Sequence, residues 1–150
     1  MNVPNQRIVY LNGEFVPESE AKIPFRDRGV KFGDAVFDTT RTFGHEIFRL
    51  REHLERFYRS LKYLRIDAGM TIEEFIAVTE HVVERNLPLI GKDEDYWVTQ
   101  RVTRGIDTAD RTHWPEWDGP TIIVECLPLP LTARAASYRD GLDIITPLIS

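Results

Sequence analysis

The first apolar positions of the chain form two short runs, residues 8–11 and 14–17, separated by Asn12-Gly13. An Asn-Gly pair between two such runs is a strong hairpin signal, because both turn residues must accept a positive φ. Pro17 has no N–H for a central ladder, so it ends the second strand or places it at a sheet edge. The pattern therefore predicts an antiparallel pair at the start of the fold.

Three longer segments are rich in β-branched and aromatic residues. They predict further strands over residues 35–43, 96–103 and 121–126. A turn at Gly44-His45 follows the first of these segments, and residues 47–50 return along it. Gly29 and Gly33, just before that strand, mark a predicted loop.

From Arg51 the apolar period changes to that of a helix ending near Arg65 or Ile66. Its apolar stripe consists of Leu54, Phe57, Tyr58, Leu61 and Leu64. A second helix begins at Thr71, because Thr71 and Glu74 have the spacing of a capping box. Its predicted buried face consists of Ile72, Phe75, Ile76, Thr79, Val82 and Val83.

The two prolines within residues 127–131 are incompatible with a central strand or a helix, so this segment predicts an extended linker. A further strand is predicted over 142–149, and a single strand cannot bury itself. We therefore expect an α+β domain over residues 1–126, an antiparallel sheet with two main helices. We expect this domain to be followed by a linker over 127–136 and by the incomplete start of a second, larger domain over 137–150.

Composition narrows the function classes. The chain has 150 residues and a formal net charge of -5, and its basic residues alternate with acids, so no nucleic-acid surface is predicted. No segment approaches the roughly 20 apolar residues of a membrane span. Cys126 is the single cysteine, which excludes an intrachain disulfide and fits a cytoplasmic protein. The histidines have no metal-ligand spacing, so no metal site is predicted.

Two motifs lie in one short stretch: RDRG-x-x-FGD-x-VF at residues 26–37 and IFRL-x-EHL-x-R at 47–56. Together they resemble the class IV, or fold-type IV, aminotransferases, which depend on pyridoxal 5'-phosphate and include branched-chain and D-amino-acid transaminases. The resemblance implies a small N-terminal α/β sandwich domain and covers about the first half of a family member. It also implies a homodimer that acts on amino acids and 2-oxo acids.

Arg56 matches the family's phosphate-binding arginine. On the predicted helix it lies beside Phe57 at the margin of the apolar stripe, where a guanidinium can point into a cleft. Spacing alone favours a surface arginine with its stem packed along the protein, and the phosphate role comes from the surrounding motif. His53, one turn earlier, either supports Arg56 or packs structurally.

Family members often have a tyrosine near the cofactor at one of the two positions held here by Phe32 and Phe37, so the resemblance makes both substrate-binding candidates. Core packing is the simpler interpretation of both. Asp38 stands where family members often have a glutamate, and it is also consistent with a solvent-facing strand position.

A polar loop over residues 105–119 contains Arg111-Thr112-His113. This element resembles the one that binds the substrate α-carboxylate in D-amino-acid transaminases, reaching in from the neighbouring subunit. An arginine and a histidine on a loop can bind a carboxylate. The resemblance therefore favours D-amino acids, with branched-chain L-amino acids next and chiral (R)-amines or aminodeoxychorismate lyase chemistry behind. An ordinary exposed loop is the alternative.

The family's Schiff-base lysine is not expected in this chain. Of its four lysines, Lys31 lies nearest the motifs, but the family does not use that position. We therefore expect no catalytic residue here, and the 150-residue chain alone to be inactive, as the N-terminal part of an enzyme. The alternatives are a truncated remnant or dimerisation module, and a small phosphate-binding protein that uses Arg56.

Overall fold

The structure is a computed structural model that describes residues 6–107, 109 and 118–146. Its described residues form one antiparallel sheet in the order β2-β1-β6-β5-β3-β4. The strands are β1 (Ile8–Leu11), β2 (Glu14–Pro17), β3 (Ala35–Phe43), β4 (Glu46–Ile47), β5 (Tyr96–Thr103) and β6 (Ile122–Pro128). The helices are α1 (Arg28–Phe32), α2 (Leu50–Leu64), α3 (Ile72–Asn86) and α4 (Leu131–Asp140), with a 3₁₀ turn at Leu87–Leu89. The predicted α+β class and antiparallel sheet are confirmed.

The core lies between one face of the sheet and helices α2 and α3. α2 packs on β3, and α3 packs on β6, β1 and the neighbouring α2. The apolar stripes predicted for the two helices supply Leu54, Phe57 and Phe75, all at most 1% exposed. On β3 the positions facing the helices alternate with positions facing away, as the two-residue period of a strand requires.

Local chemistry fixes the ends of the two main helices. Thr71 accepts a hydrogen bond from the Glu74 backbone N–H, and the Glu74 carboxylate accepts one from the Thr71 N–H, so the predicted capping box is confirmed. Arg65 caps the C-terminal end of α2, with φ +53° and its N–H donated to carbonyls of the last turn. The predicted hairpin is also present, with β2 at the sheet edge.

The structure differs from the predicted loop around Gly29. Residues 28–32 form the short helix α1, because Asp27 caps it by accepting the Gly29 N–H at 2.7 Å and Gly33 ends it at φ +67°. Asp27 is fully buried and also accepts hydrogen bonds from Thr103 and Thr121. These tertiary contacts stabilise a helix too short to be stable by itself.

The predicted extended linker is wrong in its conformation. β6 continues through Leu127 and Pro128, which pair with Trp97 and Tyr96 of β5 at the end of the strand. Helix α4 then begins at Leu131, and its Arg134 lies over the Trp97 ring at 4.5 Å. The ring of Pro128 is tolerated because the ladder ends there.

Residues 142–146 have no regular secondary structure and are exposed, so this part of the predicted 142–149 strand is not a strand. Residues 147–150 lie outside the described part of the chain. The domain boundaries at 126 and 136 stay a prediction.

Candidate functional site

An open cleft of about 530 Å³ lies between the start of β3 and the second half of α2. The side chains that could take part in binding there are those of Phe37, Arg56, Arg59, Ser60 and Tyr63. The four helical positions have the spacing i, i+3, i+4 and i+7, which places them on one face of α2, beside its buried stripe. The apolar period that buries one face of α2 thereby directs another toward this cleft.

Arg56 is held at the cleft by Asp38. Its Nε donates to Asp38 Oδ2 at 2.8 Å and its Nη2 to Oδ1 at 2.7 Å, so the guanidinium binds the carboxylate through two nitrogens. Nδ1 of His53 lies 2.7 Å from Asp38 Oδ1. Since a carboxylate only accepts, this contact places a proton on Nδ1. His53 thus supports the pair, one of the two roles considered for it.

Asp38 is a buried acid that stays ionised. Its side chain is 4% exposed, and burial alone favours the neutral form. Burial is the largest single influence on its pKa, but the hydrogen bonds from Arg56 and His53 together outweigh it and lower that pKa. In return, Asp38 raises the pKa of Arg56. The carboxylate and the guanidinium therefore form a charge-compensated pair.

The Arg56 side chain is nevertheless 59% exposed. Its third nitrogen, Nη1, has no hydrogen-bond partner among the residues that the structure describes. A guanidinium fixed by two nitrogens, with the third unused, can donate to an anionic group in the cleft. The predicted cofactor role of Arg56 stays a prediction, but this geometry is compatible with it.

The interpretation of Phe32 and Phe37 as core residues is wrong. Phe37 is 66% exposed and Phe32 is 62% exposed. Phe37 lies near the start of β3 and is among the residues that line the cleft, whereas Phe32 lies on α1 and is not part of the lining. Cations lie over the Phe32 ring, with the Arg28 guanidinium 5.2 Å and the Lys31 ammonium 4.9 Å from its centroid. A substrate role for either ring stays a prediction.

The Arg111 and His113 candidates lie outside the described residues, but the start of their loop is described. Arg104 donates to both Asp34 carboxylate oxygens, at 2.7 and 3.1 Å, and to the carbonyls of Leu64 and Arg65 at the end of α2. Arg104 is the largest influence on the Asp34 pKa, which is lowered. Arg28 joins Asp34 to Asp107. The root of the loop is therefore tied to α1 and to the end of α2 that borders the cleft.

Sequence reasoning missed Arg59 and the buried partnership of Asp38. The spacing of Arg59, three residues after Arg56 on a predicted helix, was a usable signal. A second usable signal was the place of Asp38 on its strand, where alternate positions are buried. Asp38 falls on the buried set, so its side chain does not face solvent.

The described part of the chain contains neither a grouped metal site nor a membrane span. Within 6–107, 109 and 118–146, no three His, Cys, Asp or Glu side chains are grouped as metal ligands would be. No helix in these ranges has both the length and the apolar character needed to cross a membrane.

Comparison with known proteins identifies the family to which this fold belongs. Residues 35–142 match the family described as amino-transferase class IV. The match extends over more than half of the chain, and the chain belongs to this family. Class IV aminotransferases are enzymes that depend on pyridoxal phosphate.

Individual relatives agree with the family. The chain is 36% identical over 105 residues to the D-alanine aminotransferase of Staphylococcus haemolyticus, covering 70% of this chain and 35% of the relative. It is 39% identical over 140 residues to a putative branched-chain-amino-acid aminotransferase of Methanocaldococcus jannaschii, covering 92% and 44%. The chain thus spans less than half the length of these relatives.

Solved structures give the same fold. The branched-chain aminotransferase of the thermophilic archaeon Thermoproteus uzoniensis, solved with norvaline, aligns with a TM-score of 0.66 at 26% identity, over 82% of this chain and 41% of that one. A protein described as a hypothetical aminotransferase of Mycobacterium tuberculosis, in its PLP-bound form, aligns with a TM-score of 0.72. At 17% identity, over 87% of this chain and 43% of that one, the latter supports the fold alone.

Proposed function

We propose that this chain forms one wall of the active site of a pyridoxal-phosphate-dependent aminotransferase, with D-amino acids and 2-oxo acids as substrates. The observation that carries the proposal is the fixed guanidinium of Arg56. Two of its nitrogens are bound to Asp38, and the side chain lines an open cleft. A phosphate group is well matched to such a donor.

The residues present fit the cofactor on three counts. The cleft volume of about 530 Å³ falls within the roughly 300–1,000 Å³ of small-molecule sites. Arg56 offers Nη1 to a phosphate oxygen, and the exposed Phe37 ring offers an apolar surface to a heteroaromatic ring or a substrate side chain. When bound, the cofactor would supply the electron sink that the removal of the substrate α-proton requires.

The residues of this wall bind and orient rather than transfer protons. Arg56 would hold the anionic end of the cofactor, and Asp38 and His53 would fix the direction of Arg56. Lys22, Lys31, Lys62 and Lys92 are all absent from the cleft lining, so none of them offers an amine at this wall. The chain's contribution to catalysis would therefore be positional.

The preference for D-amino acids rests on two supports. One is the Arg111-Thr112-His113 element, whose arginine and histidine suit a carboxylate. The other is the similarity to a relative named D-alanine aminotransferase. Branched-chain L-amino acids are the second candidate, because another relative and a solved structure carry the branched-chain name. (R)-amines are the third.

The test is a transamination assay of the protein as its native source makes it, with D-alanine, L-leucine and a chiral (R)-amine as alternative donors to 2-oxoglutarate. Arg111→Ala should raise KM for the carboxylate donors and leave the amine unchanged, because the amine has no carboxylate to bind. Exclusive use of L-leucine would refute the D-amino-acid assignment. Absence of transamination with all three donors would refute the aminotransferase proposal itself.

Two further expectations belong to the same proposal. A homodimer would allow the 105–119 loop of one subunit to reach the cleft of the other, and sedimentation analysis measures that state directly. A cytoplasmic location is consistent with the single, buried Cys126. Cell fractionation would test it.

A further inference from the structure

Arg59 places a charge at the cleft that has no partner among the residues that the structure describes. It lies three residues after Arg56 on the same face of α2, lines the same cleft and is exposed. Within the described residues, its guanidinium forms neither a hydrogen bond nor an ion pair. Glu55, four residues earlier, has the spacing of a helix-surface partner, yet the two side chains form no ion pair.

The lack of a partner for Arg59 among the described residues determines the net charge of the cleft wall. Asp38 compensates the charge of Arg56 through two hydrogen bonds, so that pair contributes little net charge. Arg59 has no such partner among the described residues and supplies the net positive charge of the wall, in a chain whose overall charge is -5. Two arginines at i and i+3 repel each other unless a counter-charge lies nearby. Asp38 supplies that counter-charge for Arg56, so the charge of Arg59 is the one that remains uncompensated among the described residues.

We propose that Arg59 is a second anion-binding residue of this cleft. Arg56 fixes the orientation of a bound phosphate monoester, and Arg59 supplies the charge that attracts and retains its second negative charge. The inference rests on the proposed cofactor site and extends it to a residue outside the family motif. None of the five N–H donors of Arg59 is used by another described residue, whereas Arg56 retains few beyond Nη1.

The two arginines should therefore respond differently to substitution by lysine. Arg56 needs its planar fork, because a lysine cannot bind both Asp38 oxygens in parallel. Arg59 needs mainly its charge, which a lysine preserves. Arg56→Lys should weaken phosphate binding strongly, and Arg59→Lys should weaken it little.

The experiment is a titration of the purified protein with pyridoxamine 5'-phosphate, followed by ³¹P NMR. This ligand has no aldehyde and so does not react with the chain's lysines. Arg59→Ala should weaken binding about tenfold, the size expected for a lost hydrogen bond to a charged group. At about 1 M salt, where the Debye length is near 3 Å, the difference from wild type should largely vanish.

Arg85→Ala is the matched control. It removes the same charge from an exposed position on α3, outside the cleft, and should bind the ligand as wild type does. Circular dichroism of each variant separates lost binding from lost folding. Pyridoxamine without its phosphate has no ³¹P signal, so its binding is followed by the fluorescence of its pyridine ring. It should bind wild type and Arg59→Ala equally.

The outcomes separate the inference from the proposal on which it rests. If Arg59→Ala binds as tightly as wild type while Arg56→Lys is weakened, the cleft is a one-arginine phosphate site and the inference is refuted. If wild type itself shows no preference for the phosphorylated ligand, the cofactor site and the inference fail together. If Arg85→Ala weakens ligand binding as much as Arg59→Ala does, the inference about Arg59 is also refuted, because a general effect of net charge would then explain both results.

Discussion

Replacing Arg56 with alanine should destabilise the fold as well as any ligand site. Asp38 is buried with its side chain 4% exposed, and it accepts hydrogen bonds from Arg56 Nε, Arg56 Nη2 and His53 Nδ1. The Arg56→Ala substitution removes two of these three and leaves a buried carboxylate short of donors. Hydrogen bonds to charged groups contribute roughly 1.5–3 kcal/mol each. Because the Arg56 side chain is 59% exposed, solvent can partly replace it, and we expect a total loss of about 2–3 kcal/mol.

Asp38→Asn perturbs the same pair from the other side. It removes the buried charge, and the exposed Arg56 guanidinium can turn to water, so the cost should be nearer 1 kcal/mol. In the Asp38→Asn background, Arg56→Ala should then cost little more, because no buried charge is left unpaired. The two substitutions are therefore expected to be strongly non-additive.

Urea unfolding of the four proteins at pH 7 measures this cycle. The pKa of Asp38 is lowered in the folded state, so its contribution to stability is fully present above the unfolded value of about 3.9 and is lost as pH falls through the folded pKa. The stability gap between wild type and Arg56→Ala should consequently narrow in acid. A cost for Arg56→Ala below about 0.5 kcal/mol, or additive costs in the cycle, would refute the reasoning, since values that small are usual for surface substitutions.

Two other substitutions test the contacts that hold α1 and the 105–119 loop beside the cleft. Gly29→Ala should destabilise by about 1–3 kcal/mol, because an added Cβ would lie 2.6 Å from Thr103 Cγ2. Adding Thr103→Ser, which removes that methyl group and keeps the hydroxyl bound to Asp27, should recover part of the loss in thermal unfolding, and no recovery would exclude the methyl contact as its main cause. Arg104→Ala should loosen the root of the 105–119 loop, since it removes the bonds to Asp34 and to the end of α2. Hydrogen exchange at Gly105 should then quicken, while unchanged exchange would show that Arg104 does not hold the root.

Local signals predicted most of the elements. β3 and β5 have the bounds read from the sequence, 35–43 and 96–103, because alternating β-branched and aromatic positions are a property of the strand itself. The α3 start was predicted for a similar reason, since Thr71 and Glu74 complete their capping box within one turn. The hairpin at Asn12-Gly13 is equally local.

The elements that were mispredicted depend on distant partners. α1 has five residues and is stabilised by Asp27 contacts with Thr103 and Thr121, which no local period reveals. The β6 extension through Pro128 follows from pairing with β5, and the α4 start at Leu131 follows directly after that ladder ends. Proline content alone indicated an extended segment there, because it reports local backbone limits and not the end of a ladder.

The residues of the candidate site also differ in whether a local signal or a distant partner determines them. Arg56 was found by its motif, but its partner Asp38 lies 18 residues earlier on a strand and could be assigned only once β3 and α2 were packed together. Exposure of Phe37 likewise depends on which face of the sheet the helices cover. Of the cleft residues, the sequence therefore located Arg56 and Phe37 but neither Arg59 nor the partner that holds Arg56.

Stability alone does not explain the Asp38–Arg56 pair. A buried charge on a sheet face that packs on Phe57 and Leu54 costs desolvation, and an apolar pair of similar volume would serve the core as well or better. What the pair supplies is direction, since a guanidinium bound by two nitrogens cannot rotate freely. The half-exposed Arg56 side chain keeps Nη1 unpartnered among the described residues, at the lining of an open cleft. The proposed anion site gives a reason for a carboxylate in the core at this cost, because Arg56 would then have to meet the anion in one orientation.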